Sequence, residues 1–234
     1  ICTGAELEAG WLPLLLRQSG NARIQPGRPG YLEASSLVRK LEIPAQIDRS
    51  LGDVHASGNP HIHTDPRNIE RVATALADRL AQIDASGAAV YRERLAAFAL
   101  RWQAAIRQWE QRAAALKGVP VIVHHREWTY LIAWLGMREV GSLEPKPGVP
   151  PSPAHLAGLI ERQRRAPAKI IIYSPYNDAR AAAYLSQRSG IPAVLLPYTI
   201  GGTDKAKTLF GLFDDTLDRL LAVKAGPAED QRPR

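Results

Sequence analysis

The stretch from Val119 to His125, Val-Pro-Val-Ile-Val-His-His, decides the fold. Its apolar, β-branched run is typical of a buried strand, and two later runs, Lys169–Tyr173 and Ile191–Leu196, have the same character. Continuous apolar strands are a feature of parallel sheets, because helices cover both faces of such a sheet. Segments with helical spacing of apolar residues lie between these strands. The sequence therefore predicts an α/β fold with a parallel sheet.

The remaining predicted elements of this half lie between and after those strands. We predict a further strand over Glu139–Leu143 and a glycine turn at Gly201–Thr203. The predicted helices are Trp128–Leu135, Pro153–Arg164, Asp178–Ser189 and Lys207–Val223. Together these elements predict a C-terminal α/β lobe over residues 118–225, followed by a polar tail, 226–234, that we expect to be disordered.

One long helix is predicted upstream of this lobe, over residues 88–117. Its apolar stripe repeats at steps of four and three residues and includes Trp102 and Trp109. At full length the helix would extend roughly 45 Å, more than one small domain needs. A coiled-coil arm is the alternative, but tryptophan is unusual in a coiled-coil seam. We therefore interpret the segment as a rigid helix that joins two lobes.

The first 87 residues form the predicted N-terminal lobe, which has a more mixed pattern. Ile1–Gly4 indicates the end of a buried strand, and Ala5–Arg17 predicts a short helix that carries Leu7, Trp11 and Leu15. The pair Asp65-Pro66 predicts the start of another helix. An aspartate caps the free N–H groups there, and proline suits the first helical position.

Composition excludes several classes of protein. The chain has 234 residues and a formal net charge of +7, with a single cysteine. One cysteine excludes an intrachain disulfide framework and a four-cysteine zinc or iron–sulfur site. No run of about 18 apolar residues is present to span a membrane. The densest basic run, Arg162–Arg165, is short and has no aromatic neighbours, so we expect no nucleic-acid partner.

Three groups of residues could carry chemistry. His55, His61 and His63 fall within nine residues before a predicted helix, and imidazole is the usual nitrogen ligand of zinc. The alternative is that these are solvated loop histidines. His124 and His125 follow a strand, where ligand-binding residues of α/β sheets lie, although one could instead cap the next helix. The segment Tyr198–Asp204 contains a Gly-Gly turn, which could hold an anion or simply let Asp204 cap the last helix.

These motifs together resemble a known family. Asn59–Pro66 (Asn-Pro-His-Ile-His-Thr-Asp-Pro) resembles the D-P-H-x-W-x-D-P segment of the zinc- and manganese-binding solute-binding proteins of ABC importers. The segment Val121–Tyr130 resembles the family's strand followed by H-D-A-F-G-Y. Leu143–Pro145, with Pro151-Ser152 shortly after, resembles its E-P-G-x-x-P-S loop. The resemblance covers nearly the whole chain in the right order.

The resemblance implies a set of metal ligands. The family's D-P-H histidine falls on His61, and the histidine of H-D-A-F-G-Y falls on His125, since Trp128 then takes the aromatic position. The carboxylate ligand of the family follows the last strand, where the nearest acid here is Asp204. The family's first histidine belongs to a segment that we expect upstream of Ile1, which would leave this N-terminal lobe without its first strand.

The same resemblance implies a function. It predicts two α/β lobes joined by the long helix, and an extracytoplasmic or periplasmic receptor that delivers a metal ion to an ABC permease. The signal peptide of such a protein would precede this chain. We expect the protein to be a monomer, and we expect it to have no enzymatic activity. Zinc is favoured over manganese, because nitrogen-rich sites favour zinc.

Two questions stay open at this level. His55 and His63 are either auxiliary ligands or solvent-facing residues. The rival to a receptor is a zinc-dependent hydrolase that uses His61 and His125 as ligands and Glu127 as the general base, since a catalytic zinc keeps one position open for water.

Overall fold

The computed structural model describes residues 1–45, 52 and 55–224. These residues form two compact units, and the border between the units falls within the long helix, between Ile106 and Arg107. The predicted tail, 226–234, lies outside the described residues. The division into a lobe over 1–87, a linking helix over 88–117 and a lobe over 118–225 stays a prediction.

A four-stranded parallel sheet forms the centre of the C-terminal unit. Its strand order is β2-β1-β3-β4, so the first strand of the chain lies inside the sheet. Each pairing between neighbours is parallel. The strands are β1 (Pro120–Val123), β2 (Arg138–Ser142), β3 (Ile170–Tyr173) and β4 (Ala193–Leu195). All four agree with the predicted strands to within about two residues, and the α/β fold class is confirmed.

Helices cover both faces of this sheet. Ile122 and Ile171 face a core that α5 (Pro153–Arg165) and α6 (Ala179–Ser189) complete with Leu159 and Leu185, and these four side chains are fully buried. Two other helices contact the sheet through β2 and β4. The helices are α4 (Thr129–Leu135), α5 (Pro153–Arg165), α6 (Ala179–Ser189) and α7 (Leu209–Lys224). Burial from both sides explains why the strands are continuously apolar.

The strand order creates a switch point between β1 and β3. From β1 the chain crosses to β2 on one side, and later strands are added on the other side. At such a point the connections diverge and leave a crevice at the carboxyl ends of the two strands. The backbone N–H of His124 donates to the carbonyl of Ile172 there, at 2.8 Å. The strand ends that carry His124 and His125 therefore lie at this crevice.

The predicted long helix is present as α3 (Ala88–Ala113), followed by one 3₁₀ turn, Ala114–Leu116. Its two tryptophans are buried in different units. In the N-terminal unit, the indole N–H of Trp102 donates to the carbonyl of Pro66 at 2.8 Å. In the C-terminal unit, the indole N–H of Trp109 donates to Asp214 at 2.8 Å, and its ring lies 5.0 Å from that of Phe213. The stripe on this helix thus supplies core residues to both units.

The start of the N-terminal unit differs from the prediction. The described residues show a single parallel bridge, Cys2 with Glu33, where a strand end was expected. The predicted helix Ala5–Arg17 is shortened to α1 (Leu12–Gln18). Gly4, Ala5 and Glu6 all adopt positive φ, which is incompatible with a right-handed helix. The α1 helix buries none of its residues, and Leu7, Trp11 and Leu15 are all exposed.

Helix α2 (Pro66–Ile83) begins as predicted. The side chain of Asp65 accepts the backbone N–H of Arg67 at 2.9 Å, and Pro66 occupies the first helical position. This cap fixes the end of the segment that carries His61. No described helix of the chain is both long and apolar enough to cross a membrane.

Candidate metal-binding site

His125 is held by an acidic neighbour at the carboxyl end of the sheet. Its Nδ1 donates to Oε2 of Glu144 at 2.7 Å, and the same oxygen accepts the backbone N–H of Gly148 at 2.9 Å. His125 follows β1 and Glu144 follows β2, and these strands pair in the sheet. Parallel pairing therefore places the two side chains at one edge.

This pairing fixes the tautomer of His125. A carboxylate that accepts the Nδ1 proton places the lone pair of the ring on Nε2. Burial alone would raise the pKa of Glu144, but the hydrogen bonds from His125 and Gly148 outweigh it, and the pKa is lowered. The carboxyl group thus stays ionised and can balance the charge of a bound cation.

His124 lies on the opposite side of the strand. Successive side chains alternate in extended backbone, so His124 shares the face of Ile122, which is the face covered by α5 and α6. The residue is 4% exposed, and its Nδ1 has no hydrogen-bond partner. Burial lowers the pKa of His124, and the Glu144 carboxylate opposes this in part. The alternative role as a helix cap is not seen, because neither histidine gives a side-chain cap to the next helix.

Glu127, the general base of the hydrolase hypothesis, is buried two residues after His125. Its Oε1 has no hydrogen-bond partner. Burial raises the pKa of Glu127 to about 7, and a hydrogen bond with Ser174 opposes the shift in part. Burial raises the pKa of Tyr198, and the negative charge of the Glu127 carboxylate raises it further.

In the N-terminal unit, His61 lies in a rigid loop. The backbone N–H of His61 donates to Oδ1 of Asn59 at 2.9 Å, and the hydroxyl of Thr64 donates to the His61 carbonyl at 3.0 Å. His61 is 7% exposed. The ring of His55 stands perpendicular to the His61 ring, with 6.4 Å between the centroids. The structure therefore places the ring of His55 close to that of His61, a proximity that sequence spacing alone could not predict. His63 is half-buried in the 3₁₀ turn Ile62–Thr64.

Asp204 lies in the exposed turn before α7. The turn needs glycine, since Gly201 has a φ of +86° and its N–H donates to the carbonyl of Ala206 at 2.7 Å. The alternative role for Asp204, as the cap of the last helix, is taken by Thr208, which accepts the N–H of Gly211 at 3.0 Å. The acidic partner that the structure gives to His125 is Glu144, not Asp204.

The three ligands expected from sequence are divided between the units. His61 belongs to the N-terminal unit, whereas His125 and Asp204 belong to the C-terminal unit. Within residues 1–45, 52 and 55–224, no group of three or more His, Cys, Asp or Glu side chains is arranged to hold a metal ion. The joint role of these three residues as metal ligands stays a prediction.

Sequence reasoning missed the role of Glu144. The motif identifies Glu144 only as the acid of the E-P-G-like loop and gives it no partner residue. The available signal was its place directly after a strand, because an acid at a strand's carboxyl end can reach a residue at the end of the neighbouring strand. The strand order needed to use that signal became visible only in the fold.

Comparison with known proteins decides the family. The family model of zinc-uptake complex component A, periplasmic (ZnuA), matches residues 1–223. The chain belongs to the ZnuA family. Membership confirms the predicted class of protein, a metal-binding receptor of an ABC importer, and the ZnuA family is a solute-binding family. No curated protein sequence matches the chain.

Solved structures of ZnuA-like proteins share the fold. A crystal structure of ZnuA has a TM-score of 0.72 and 21% identity, and the match covers 93% of this chain and 77% of that one. A Cd-bound periplasmic metal-binding protein from Candidatus Liberibacter asiaticus has a TM-score of 0.73 and 16% identity, with 96% and 78% covered. The Ni²⁺ complex of the SBP FpvC from P. aeruginosa has a TM-score of 0.65 and 20% identity, with 87% and 72% covered.

Proposed function

We propose that this ZnuA-family chain is a periplasmic receptor that captures zinc and delivers it to an ABC permease. The observation that carries the proposal is the His125–Glu144 pair, with 2.7 Å between Nδ1 and Oε2. A histidine oriented by a carboxylate through one ring nitrogen, with the other nitrogen left for the metal, is the usual arrangement around protein-bound zinc.

Zinc would be held by neutral imidazoles and a carboxylate. We assign His61 and His125 as nitrogen ligands, and Asp204 as the candidate carboxylate. Imidazole nitrogen suits zinc better than manganese, which prefers oxygen ligands, so manganese is the second choice. The bound ion would lie about 2.0–2.1 Å from each coordinating nitrogen. The cadmium- and nickel-bound relatives have similar folds, which supports a metal cargo without selecting one.

A receptor fits better than a hydrolase. Glu127 has the raised pKa that a general base needs, about 7, but its side chain is 5% exposed. A base must reach a water molecule bound to the metal, and this carboxyl is enclosed by protein. Membership of a solute-binding family points the same way. We therefore propose a monomeric binding protein without catalytic activity, whose partners are zinc and the membrane permease and not a nucleic acid.

The test is a zinc titration against a chromophoric chelator, with substitutions at single histidines. His125→Ala and His61→Ala should each lower zinc affinity strongly. His155→Gln is the matched control, because His155 donates to the carbonyl of Ser142 and glutamine keeps a side-chain donor there. Unchanged zinc affinity in His125→Ala would contradict the assignment. Hydrolysis of an ester or peptide by the zinc-loaded protein, lost in Glu127→Gln, would favour the rival function.

A further inference from the structure

A cavity of about 550 Å³ opens at the switch point of the sheet, on the face covered by α5 and α6. This volume is typical of a small-molecule site. The cavity lies where ligands bind in open α/β sheets, outside the carboxyl ends of strands at the point of divergence. The lining includes His124, Glu144, Pro153, Tyr176, Asp178 and Tyr184.

The cavity is on the other side of β1 from His125. His124 lines the cavity and has the same orientation as Ile122, whose side chain packs with α5 and α6. His125 is the next residue in an extended backbone, with φ −119° and ψ 157°, so its ring leaves from the opposite face. The cavity is therefore distinct from the place where His125 would bind zinc.

One polar group at this cavity keeps unused hydrogen-bonding capacity. Glu144 lines the cavity, and the two hydrogen bonds that it accepts from His125 and Gly148 both fall on Oε2. Its Oε1 retains the capacity to accept hydrogen bonds from a ligand. The ring of His124 also lines the cavity, but its Nδ1 is buried and is not reached from there. The carboxylate of Glu144 therefore makes a site for a hydrogen-bond donor.

The charge of the wall favours a cation. The lining contains two carboxylates, Glu144 and Asp178, and one guanidinium, Arg180. Arg180 is paired with Asp178 through short charge-assisted bonds, so these two charges offset each other. The unbalanced charge is the carboxylate of Glu144. An anionic ligand would meet this charge directly, whereas a cation would be attracted to it.

Aromatic and proline side chains complete the wall. Tyr176 is 71% exposed and Tyr184 is 41% exposed, and both line the cavity. The Tyr184 ring already attracts a cation, because the Arg188 guanidinium lies 5.7 Å from its centroid. Pro153 and two further prolines provide an apolar surface beside them. Such a wall suits the hydrocarbon part of a ligand.

We infer that this cavity binds a small organic ammonium ion with an aliphatic body. The ammonium group donates to Oε1 of Glu144, and the aliphatic body lies against the prolines and tyrosines. The inference does not require zinc transport, since the cavity belongs to the C-terminal unit alone and His124, not His125, lines it. Glu144 is shared, because its other oxygen bonds the His125 ring, and Tyr184→Ala tests the cavity without changing that pair.

The test compares three probes of similar size by calorimetry and ligand-observed NMR on the metal-free protein. The probes are n-butylammonium, butyrate and 1-butanol. Saturable binding of n-butylammonium, with weaker or absent binding of the other two, is the expected result. Butyrate binding as tight as n-butylammonium, or no saturable binding of n-butylammonium, would overturn the inference.

Substitutions locate the site. Glu144→Gln should weaken n-butylammonium binding about tenfold, as expected for one charge-assisted hydrogen bond. Tyr184→Ala, which leaves the metal-site residues intact, should also weaken it. Glu161→Gln is the matched control, because Glu161 is an exposed acid of α5 away from the cavity lining. Equal weakening in Glu161→Gln would show non-specific charge attraction and would refute the site, as would unchanged binding in both cavity variants.

Discussion

Glu144 and His125 form a pair across two neighbouring parallel strands, with 2.7 Å between Oε2 and Nδ1. Neither residue belongs to a strand, yet each lies two residues after one, so the sheet register determines their approach. The carboxylate orients the imidazole, and the peptide N–H of Gly148 orients the carboxylate. This chain of bonds fixes the orientation of the histidine ring. In the proposed zinc receptor, a ring oriented in advance would lower the entropic cost of binding.

Loss of the orienting carboxylate should weaken zinc binding. We expect Glu144→Gln to lower zinc affinity roughly 10- to 100-fold, the usual effect of removing the partner of a metal-binding histidine. The measurement is competition with a chromophoric chelator at constant pH. Asp178→Asn serves as a control, since Asp178 lies after β3 and asparagine preserves its role as the cap of α6. Equal zinc affinity in Glu144→Gln and the parent protein would refute an orienting role.

Zinc affinity should fall as the medium becomes acidic. Protons compete with zinc for imidazole lone pairs, and an unperturbed imidazole titrates near pH ~6.5. Between about pH 7.5 and about pH 5, the apparent affinity should therefore decline steeply. Titrations in buffers that do not bind metal would measure this dependence. A flat profile over that range would exclude histidine as the principal ligand.

Glu127 should make the metal-free protein less stable in alkali. The pKa of Glu127 is raised to about 7 by burial, so the folded state favours the protonated acid. The stabilisation is fully present below the unfolded pKa of 4.5 and is lost as pH rises through about 7. A shift of this size corresponds to roughly 3 kcal/mol of unfolding free energy.

Glu127→Gln therefore should remove most of this pH dependence. Urea denaturation at about pH 5 and about pH 8 provides the comparison, with unfolding free energies for both proteins. Glu161→Gln, on an exposed part of α5, should leave the dependence as it is. If the Glu127 variant showed the same loss of stability in alkali as the parent, another group would be responsible.

The cap of α2 should contribute to stability and to the position of His61. Asp65→Ala removes the acceptor for the Arg67 N–H and should lower the unfolding free energy by about 1 kcal/mol. Asp65→Asn keeps a good cap and should retain most of that stability. Thermal unfolding of the two variants distinguishes a capping effect from the loss of a charge. Equal destabilisation by both substitutions would assign the effect to the ion pair with Arg67.

Local sequence patterns predicted most elements of the C-terminal unit. Strand Ile170–Tyr173 followed from its continuous apolar run. In the N-terminal unit, α2 followed from the Asp65-Pro66 signal in the same way, because both patterns act through neighbouring residues. The start of the N-terminal unit could not be predicted in this way. Glu8 accepts the N–H groups of Thr3 and Gly4, in a turn with three successive positive φ angles that replaces the expected start of the helix.

The sequence by itself determined the α/β class, the place of His124 and His125 after a strand, and the family resemblance. Only the tertiary structure decided that His125 pairs with Glu144 and that His124 lies in a cavity on the other face. Those outcomes depend on the strand order β2-β1-β3-β4 and on which helices cover each face. Strand order arises from long-range packing of the whole sheet, so no local pattern of residues encodes it.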